Sequence, residues 1–132
     1  MSLITVGTRG EKTTTVTNEN AISFLGREDA RVLATPWLIA WLEMTARDVV
    51  KPYLPDEEDT VGTQVNVRHL AATPIGMKVR FEAEVIGVEG RRVLFRVAAR
   101  DDRDRIAEGT HERAVINVGR FAERLRAKQG GG

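Results

Sequence analysis

One strongly apolar helix is the feature of this sequence that most constrains its fold. Thr35 and Pro36 favour a helix start, since Thr caps helix N-termini well and Pro suits the first helical position, and Pro52 ends the run. Apolar residues surround its first two turns, a pattern typical of a helix that is buried on nearly all sides. We therefore expect a curved sheet to cover this helix over Pro36–Val50, or a sheet and a second subunit together.

The second half of the chain alternates apolar and polar residues with a period of two, which predicts antiparallel strands with one buried face. A β-rich stretch over 11–17 predicts an earlier strand, and Glu89-Gly90 and 101–104 mark turns. The sequence therefore predicts an α+β hot-dog fold, in which a curved antiparallel sheet wraps one buried central helix. The alternating runs cover about 61–70, 77–85, 92–100 and 105–118.

No linker or internal repeat divides the chain, so we expect one hot-dog domain over residues 1–132. Residues 120–128 favour a short polar helix, and 126–132 are expected to form a disordered tail that ends in three glycines. There is no apolar run of about 18 residues and no signal-like N-terminus, so we predict a soluble, cytoplasmic protein with no membrane contact. Cysteine is absent and there are two histidines, which argues against a metal site.

Two polar residues interrupt the predicted apolar layers. Glu43 lies within the apolar helix, where a salt bridge to Arg47 four residues later is one interpretation and a general base or nucleophile is the other. His69 continues the predicted inward face of the strand that carries Val61 and Thr63, and it is either a hydrogen-bonded core histidine or a site residue. Because both outliers face one layer, they favour a functional site.

Thr35 is a third candidate, although helix capping alone would explain it. Its hydroxyl would lie beside the N–H groups of the helix N-terminus, where a thioester carbonyl or an oxyanion could bind. Eight residues of helix separate Thr35 from Glu43 by about 12 Å, so one chain cannot bring both to one carbonyl carbon. We hypothesise that two antiparallel helices meet across a dimer axis and place the site at the interface.

Several segments together resemble the fluoroacetyl-coenzyme A thioesterase family of hot-dog proteins, over about residues 4 to 125. The resemblance implies a homodimer that hydrolyses short acyl-CoA thioesters, with Thr35, Glu43 and His69 as catalytic residues. It also implies a substrate-binding Arg113 and a loop glycine at Gly76. The matching segments are Gly62–Pro74 (GTQVNVRHLAATP), Val88–Arg92 (VEGRR), Gly109–Ile116 (GTHERAVI) and Ala34–Glu43 (ATPWLIAWLE).

The chain departs from the family pattern in two places. The family's fluoroacetyl-specific enzyme has a pair of Phe residues before the catalytic Thr, whereas this chain has Phe24 alone, so fluoroacetyl selectivity is not carried over. Pro36 replaces the glycine that follows the Thr and offers no N–H, so oxyanion donors must come from Trp37, Leu38 or elsewhere. Trp37 either bounds the acyl pocket, as a substrate-binding residue, or fills the dimer core.

The sequence thus predicts a metal-independent acyl-CoA thioesterase without a cofactor, since coenzyme A is part of the substrate. We expect a homodimer and leave a dimer of dimers open. Arg91 and Arg92 follow a turn and are candidates for the CoA phosphates. The alternatives are a non-catalytic acyl-CoA binding or sensing module, an enoyl-CoA hydratase, and a nucleic-acid binder, which ranks last because aromatic residues make up only 5% of the chain.

Overall fold

The backbone follows the predicted order of strand, helix and four strands in a computed structural model that describes residues 4–130. A 3₁₀ turn over Glu28–Ala30 precedes the main helix, and another over Lys51–Tyr53 follows it. The main elements are β1 (Arg9–Thr15), α1 (Thr35–Val50), β2 (Glu58–His69), β3 (Lys78–Glu89), β4 (Arg92–Arg100), β5 (Arg105–Asn117) and α2 (Val118–Gln129).

All five strands form one antiparallel sheet in the order β1-β3-β4-β5-β2. The predicted turn between β3 and β4 contains Gly90 at a φ of +61°, a conformation that glycine adopts without steric cost. α1 packs on the buried face of the sheet, against β1, β2, β3 and β4. The prediction of an α+β hot-dog fold is confirmed. β2 lies at one edge of this sheet, with β5 on its inner side.

The core lies between one face of α1 and the inward residues of the strands. Leu38, Leu42 and Ala46 of α1 are buried against residues such as Phe81 and Phe95. The sheet of one chain does not bury α1 on nearly all sides, so coverage by the sheet alone is wrong, and coverage by the sheet and a second subunit together stays a prediction. Trp37 is 45% exposed and Met44 is 48% exposed, because one five-stranded sheet covers only one side of a helix.

β2 changes its inward face part-way along. Its pairing with β5 shifts register between Gly62 and Gln64, so that one extra residue is inserted into the strand. Because one residue exchanges the two faces of a strand, the predicted common inward face of Val61, Thr63 and His69 is wrong. Before this bulge the even-numbered residues of β2 point inward, and after it the odd-numbered residues do.

The C-terminal segment is helical up to Gln129, so the prediction of a helix over 120–128 is confirmed. The Asn117 side chain caps this helix by accepting a hydrogen bond from the backbone N–H of Arg120 at 3.1 Å. The expected disordered tail is therefore wrong for residues 126–129, and residues 131–132 lie outside the described part.

No helix within residues 4–130 is long and apolar enough to cross a membrane.

Candidate active site

The first residue of α1 and the last residue of β2 meet through their side chains. Thr35 Oγ1 lies 2.8 Å from His69 Nδ1, a hydrogen-bond distance. Burial lowers the pKa of His69, while the Ala71 backbone partly offsets this effect, and the net shift favours the neutral imidazole. A neutral ring nitrogen can accept the hydroxyl proton, and this is the arrangement of a nucleophile beside its base.

The alternative interpretation of Thr35 as a helix cap is wrong. Ala34 occupies the cap position, and it provides no side-chain hydrogen bond to the helix. The Thr35 hydroxyl is thereby left for His69. The N–H of Leu38 donates to the Ala34 carbonyl at 3.0 Å, so Leu38 is not the oxyanion donor that the sequence suggested.

An apolar groove of about 360 Å³ opens beside the Thr35–His69 pair. Its volume is within the usual range of small-molecule sites, and no acidic or basic side chain other than His69 lines it. The groove can therefore accommodate a small apolar group whose point of attachment lies near Thr35. Its other lining residues are Ile22, Phe24, Val32, Leu33, Leu70, Ala71 and Ala72.

Glu43 is held by Arg113 of β5. Arg113 Nη1 donates to Glu43 Oε1 at 3.4 Å, and the Glu43 side chain stays 38% exposed. The proposed salt bridge from Glu43 to Arg47 is wrong, because Arg47 instead pairs with Asp59 at 2.7 Å and with its neighbour Asp48 at 3.2 Å. The Arg47 hydrogen bonds hold the pKa of Asp59 at about 2, well below its usual range.

Arg113 is fixed on several sides and is nearly inaccessible to solvent. Its Nε donates to Thr60 Oγ1 at 2.7 Å and its Nη2 donates to the Thr60 carbonyl at 2.9 Å. Its Nη1 donates to His111 Nε2 at 3.1 Å as well as to Glu43. In the described chain Arg113 therefore holds the carboxylate from behind, and the substrate contact implied by the resemblance stays a prediction.

Gly62 makes room for the Glu43 carboxylate. A Cβ atom at position 62 would overlap Glu43 Oε1 and would lie 3.3 Å from the His111 ring. Gly62 also begins the bulge of β2, opposite Arg113. The absence of a side chain here lets Glu43 approach the strand and reach its arginine.

We expect Gly62→Ala to displace Glu43 and to lower turnover by about 10- to 100-fold, since a misplacement of about 1 Å can cost that much. Steady-state hydrolysis of an acyl-CoA thioester measures the effect. Gly87→Ala is the matched control, because a Cβ there meets its nearest neighbour at an ordinary 3.7 Å. Equal turnover for Gly62→Ala and Gly87→Ala would show that this close approach does not matter.

The remaining predicted residues lie apart from these two groups. Trp37 is exposed on the first turn of α1. Gly76 has a φ of +95° in the connection from β2 to β3, and its N–H donates to the Val16 carbonyl at 2.8 Å. Their substrate contacts stay predictions. The two CoA candidates already have carboxylate partners, since Arg91 pairs with an acidic residue of β2 and Arg92 with one of β5.

Comparison with known proteins assigns the chain to a family. The profile of the fluoroacetyl-CoA-specific thioesterase family matches residues 16–119. The chain belongs to the fluoroacetyl-CoA-specific thioesterase family. It is 43% identical over 101 residues to the fluoroacetyl-CoA thioesterase of Streptantibioticus cattleyicolor, covering 76% of this chain and 73% of the relative.

Solved structures agree with this family assignment. A fluoroacetyl-CoA thioesterase structure matches with a TM-score of 0.86 at 37% identity, over 95% of this chain and 97% of the other. A thioesterase superfamily member from Thermus thermophilus matches with a TM-score of 0.86 at 31% identity over 100% of both chains. As a member of the fluoroacetyl-CoA-specific thioesterase family, the chain is a thioester hydrolase with the hot-dog fold.

Within this family member the two groups of site residues are separated along both α1 and β2. Eight helical residues span about 12 Å between Thr35 and Glu43. On β2, His69 pairs with Ala107, whereas Val65 pairs with His111 beside Arg113, four residues or about 13 Å away. Each chain therefore presents a Thr–His pair at one place and an Arg-held carboxylate at another.

Sequence reasoning missed His111, Thr60 and Gly62 as parts of this site. His111 and Arg113 are two residues apart on β5, and this spacing puts two polar side chains on one buried face. That signal was available in the sequence. Thr60 and Gly62 precede the bulge, so their inward orientation depends on a register shift that period-two alternation does not reveal.

Among residues 4–130 no group of three or more His, Asp or Glu side chains is arranged so that it could hold a metal ion.

Proposed function

We propose that this chain hydrolyses acyl-CoA thioesters to the free acid and CoA, with Thr35 as nucleophile and His69 as its base. The 2.8 Å contact between the Thr35 hydroxyl and His69 Nδ1, beside an apolar groove, is the observation that carries this proposal. Family membership supports the same reaction, because the curated relative from Streptantibioticus cattleyicolor and a solved relative are fluoroacetyl-CoA thioesterases.

The proposed reaction uses only these side chains and water. His69 takes the Thr35 proton as Oγ1 attacks the thioester carbonyl, and the C–S bond breaks to give an acyl-Thr35 ester. The departing CoA thiolate takes this proton from His69 and leaves as the free thiol. Glu43 then takes a proton from a water molecule as the water oxygen attacks the acyl carbon, the ester C–O bond breaks to release the acid, and Glu43 returns that proton to the Thr35 oxygen.

The proposed active unit is a homodimer in which Glu43 comes from the partner subunit. The 12 Å separation of Thr35 and Glu43 along α1 supports this arrangement, because one chain cannot supply both at one carbon. His69 Nε2 is a buried atom without a hydrogen-bond partner in the described chain, as expected for a site that needs a further group. The edge position of β2 and the exposed Trp37 and Met44 supply surface for a second copy.

The groove favours small apolar acyl groups. Apolar side chains form most of its wall, and Phe24 beside it is 79% exposed rather than closed over Thr35. An open apolar groove gives no particular advantage to a fluorinated group. We therefore propose short or branched apolar acyl-CoA thioesters as substrates, and a cytoplasmic location stays a prediction.

An acyl-CoA panel with free-thiol detection tests this function. The chain contains no cysteine, so it adds no background to a thiol reagent. Acetyl-, fluoroacetyl-, isobutyryl-, hexanoyl- and benzoyl-CoA would be compared for wild type and Thr35→Val, which removes the hydroxyl and keeps the shape. We expect turnover with wild type and a large loss with Thr35→Val. Binding without turnover on every substrate would instead indicate an acyl-CoA binding or sensing module.

The pH dependence follows from His69. Its burial lowers the pKa, so the neutral form that accepts the Thr35 proton persists below the ordinary imidazole range near 6.5. We expect kcat/KM to be flat through neutral pH and to fall on the acid side only below that range, as His69 becomes protonated. A pH profile with a parallel stability measurement checks this. An acid limb above pH 7 would contradict it.

A further inference from the structure

His111 is a buried histidine that the proposed reaction does not use. It is 2% exposed and stacks on Phe95 with ring centroids 6.1 Å apart. Both of its ring nitrogens have partners, since Nδ1 lies 2.8 Å from the Gln64 carbonyl oxygen and Nε2 lies 3.1 Å from Arg113 Nη1. A core histidine held on both sides beside the Glu43–Arg113 pair has a defined chemical form.

The two partners determine that form. A carbonyl oxygen only accepts hydrogen bonds, so His111 Nδ1 must carry a proton. A guanidinium only donates, so Nε2 must be unprotonated. The ring is therefore neutral and protonated at Nδ1. Burial, with a smaller contribution from the Arg113 charge, lowers the pKa of His111, whereas the Gln64 carbonyl and Glu43 oppose the shift.

The His111 acceptor decides where Arg113 points. Nη1 of Arg113 has two N–H bonds, and one donates to His111 Nε2 while the other donates to Glu43 Oε1. The hydroxyl and the carbonyl of Thr60 accept hydrogen bonds from Nε and Nη2, respectively. With these partners filled, the planar guanidinium has one orientation, and one Nη1 N–H is aimed at the carboxylate.

We propose that His111 is a positioning residue for Glu43, which it orients through Arg113 as a neutral hydrogen-bond acceptor. The inference rests on the proposed function, in which Glu43 activates the water. His111 also ties this arrangement to the bulge of β2, because Gln64, whose carbonyl it binds, closes the register shift that begins at Gly62. His111 thus connects the bulge at Gly62, which makes room for Glu43, with Arg113, which holds Glu43.

Two substitutions at position 111 separate its two hydrogen bonds. His111→Asn places an amide N–H near the Nδ1 position, so it keeps a donor for Gln64 and removes the acceptor for Arg113. His111→Gln places an amide oxygen near the Nε2 position and keeps the acceptor. We expect kcat to fall by about 10- to 100-fold in His111→Asn with KM nearly unchanged. We expect His111→Gln to recover most of the loss.

Val79→Ala is the control for lost core stability, because Val79 is fully buried on β3 and has no part in this network. We expect it to lower the melting temperature with little change in kcat. If His111→Asn matches Val79→Ala in kcat at a similar loss of stability, the inference is overturned. Glu43→Gln in the same series tests the proposed function separately. Full turnover in Glu43→Gln would overturn both the role of Glu43 and the role of His111. Loss of turnover in Glu43→Gln together with full turnover in His111→Asn would overturn the role of His111 alone.

The form of the His111 ring can also be measured on the wild-type protein. The chain has two histidines, and a His69→Asn sample assigns their signals. Two-bond ¹H–¹⁵N correlations should show His111 neutral and protonated at Nδ1 across the active pH range. A charged ring, or a proton on Nε2, would overturn the inference. This measurement decides even if His111→Asn fails to fold.

Discussion

Glu43→Gln is expected to lower the turnover number by about 10²- to 10⁴-fold, the usual contribution of a positioned general base. The amide has nearly the same shape, and its oxygen can still accept from Arg113. The substitution leaves the buried Arg113 guanidinium without its carboxylate partner, so the free energy of unfolding should fall as well. Free-thiol release measured beside thermal unfolding separates loss of chemistry from loss of fold.

The same variant distinguishes the two roles that Glu43 could have. If Glu43 activates water, Glu43→Gln should still release the first equivalent of CoA and then accumulate an acyl ester on Thr35. Acid quenching, peptide digestion and mass spectrometry would locate the adduct. An acyl group on Glu43 of the wild-type protein would contradict the proposed order and make the carboxylate the nucleophile. Glu43→Asp is the matched control, because it keeps the charge and withdraws it by one methylene.

Mixing two inactive variants should restore activity if the site is shared between subunits. A heterodimer of Thr35→Val and Glu43→Gln carries one site with both defects and one intact site, provided that Thr35 and Glu43 come from different chains. Random pairing makes half of the dimers mixed, so about a quarter of the wild-type activity should return. Co-expression with two different tags, followed by two affinity steps, isolates the mixed dimer, for which we expect about half.

A second pair of variants provides the control for this experiment. Thr35 and His69 contact each other within one chain, so they belong to the same half of the site. A mixture of Thr35→Val with His69→Asn should therefore recover no activity, although the same dimers form. Recovery in this control, or none with Thr35→Val and Glu43→Gln, would rule out the shared arrangement. A monomeric mass for the active protein would rule it out as well.

The sequence predicted the helix and strands and singled out Glu43 and His69. It did not predict which arginine binds Glu43. Glu43 has a compatible arginine four residues away and another 70 residues away. The nearer one, Arg47, is the default expectation for a helix. Asp59 of β2 captures Arg47 instead, at 2.7 Å, and leaves Glu43 to Arg113. A competition of this kind depends on which strand packs beside the helix, so local spacing does not settle it.

Periodicity by itself determined the fold, because the alternation of apolar residues reports which face of each helix or strand is buried. It also identified Glu43 and His69 as polar interruptions of buried layers. Only the tertiary structure decided the inward turn of Thr60 and Gly62 and the network through His111 and Arg113. These features arise from a one-residue register shift between β2 and β5, strands that lie far apart in the sequence, and a register between distant strands leaves no local pattern.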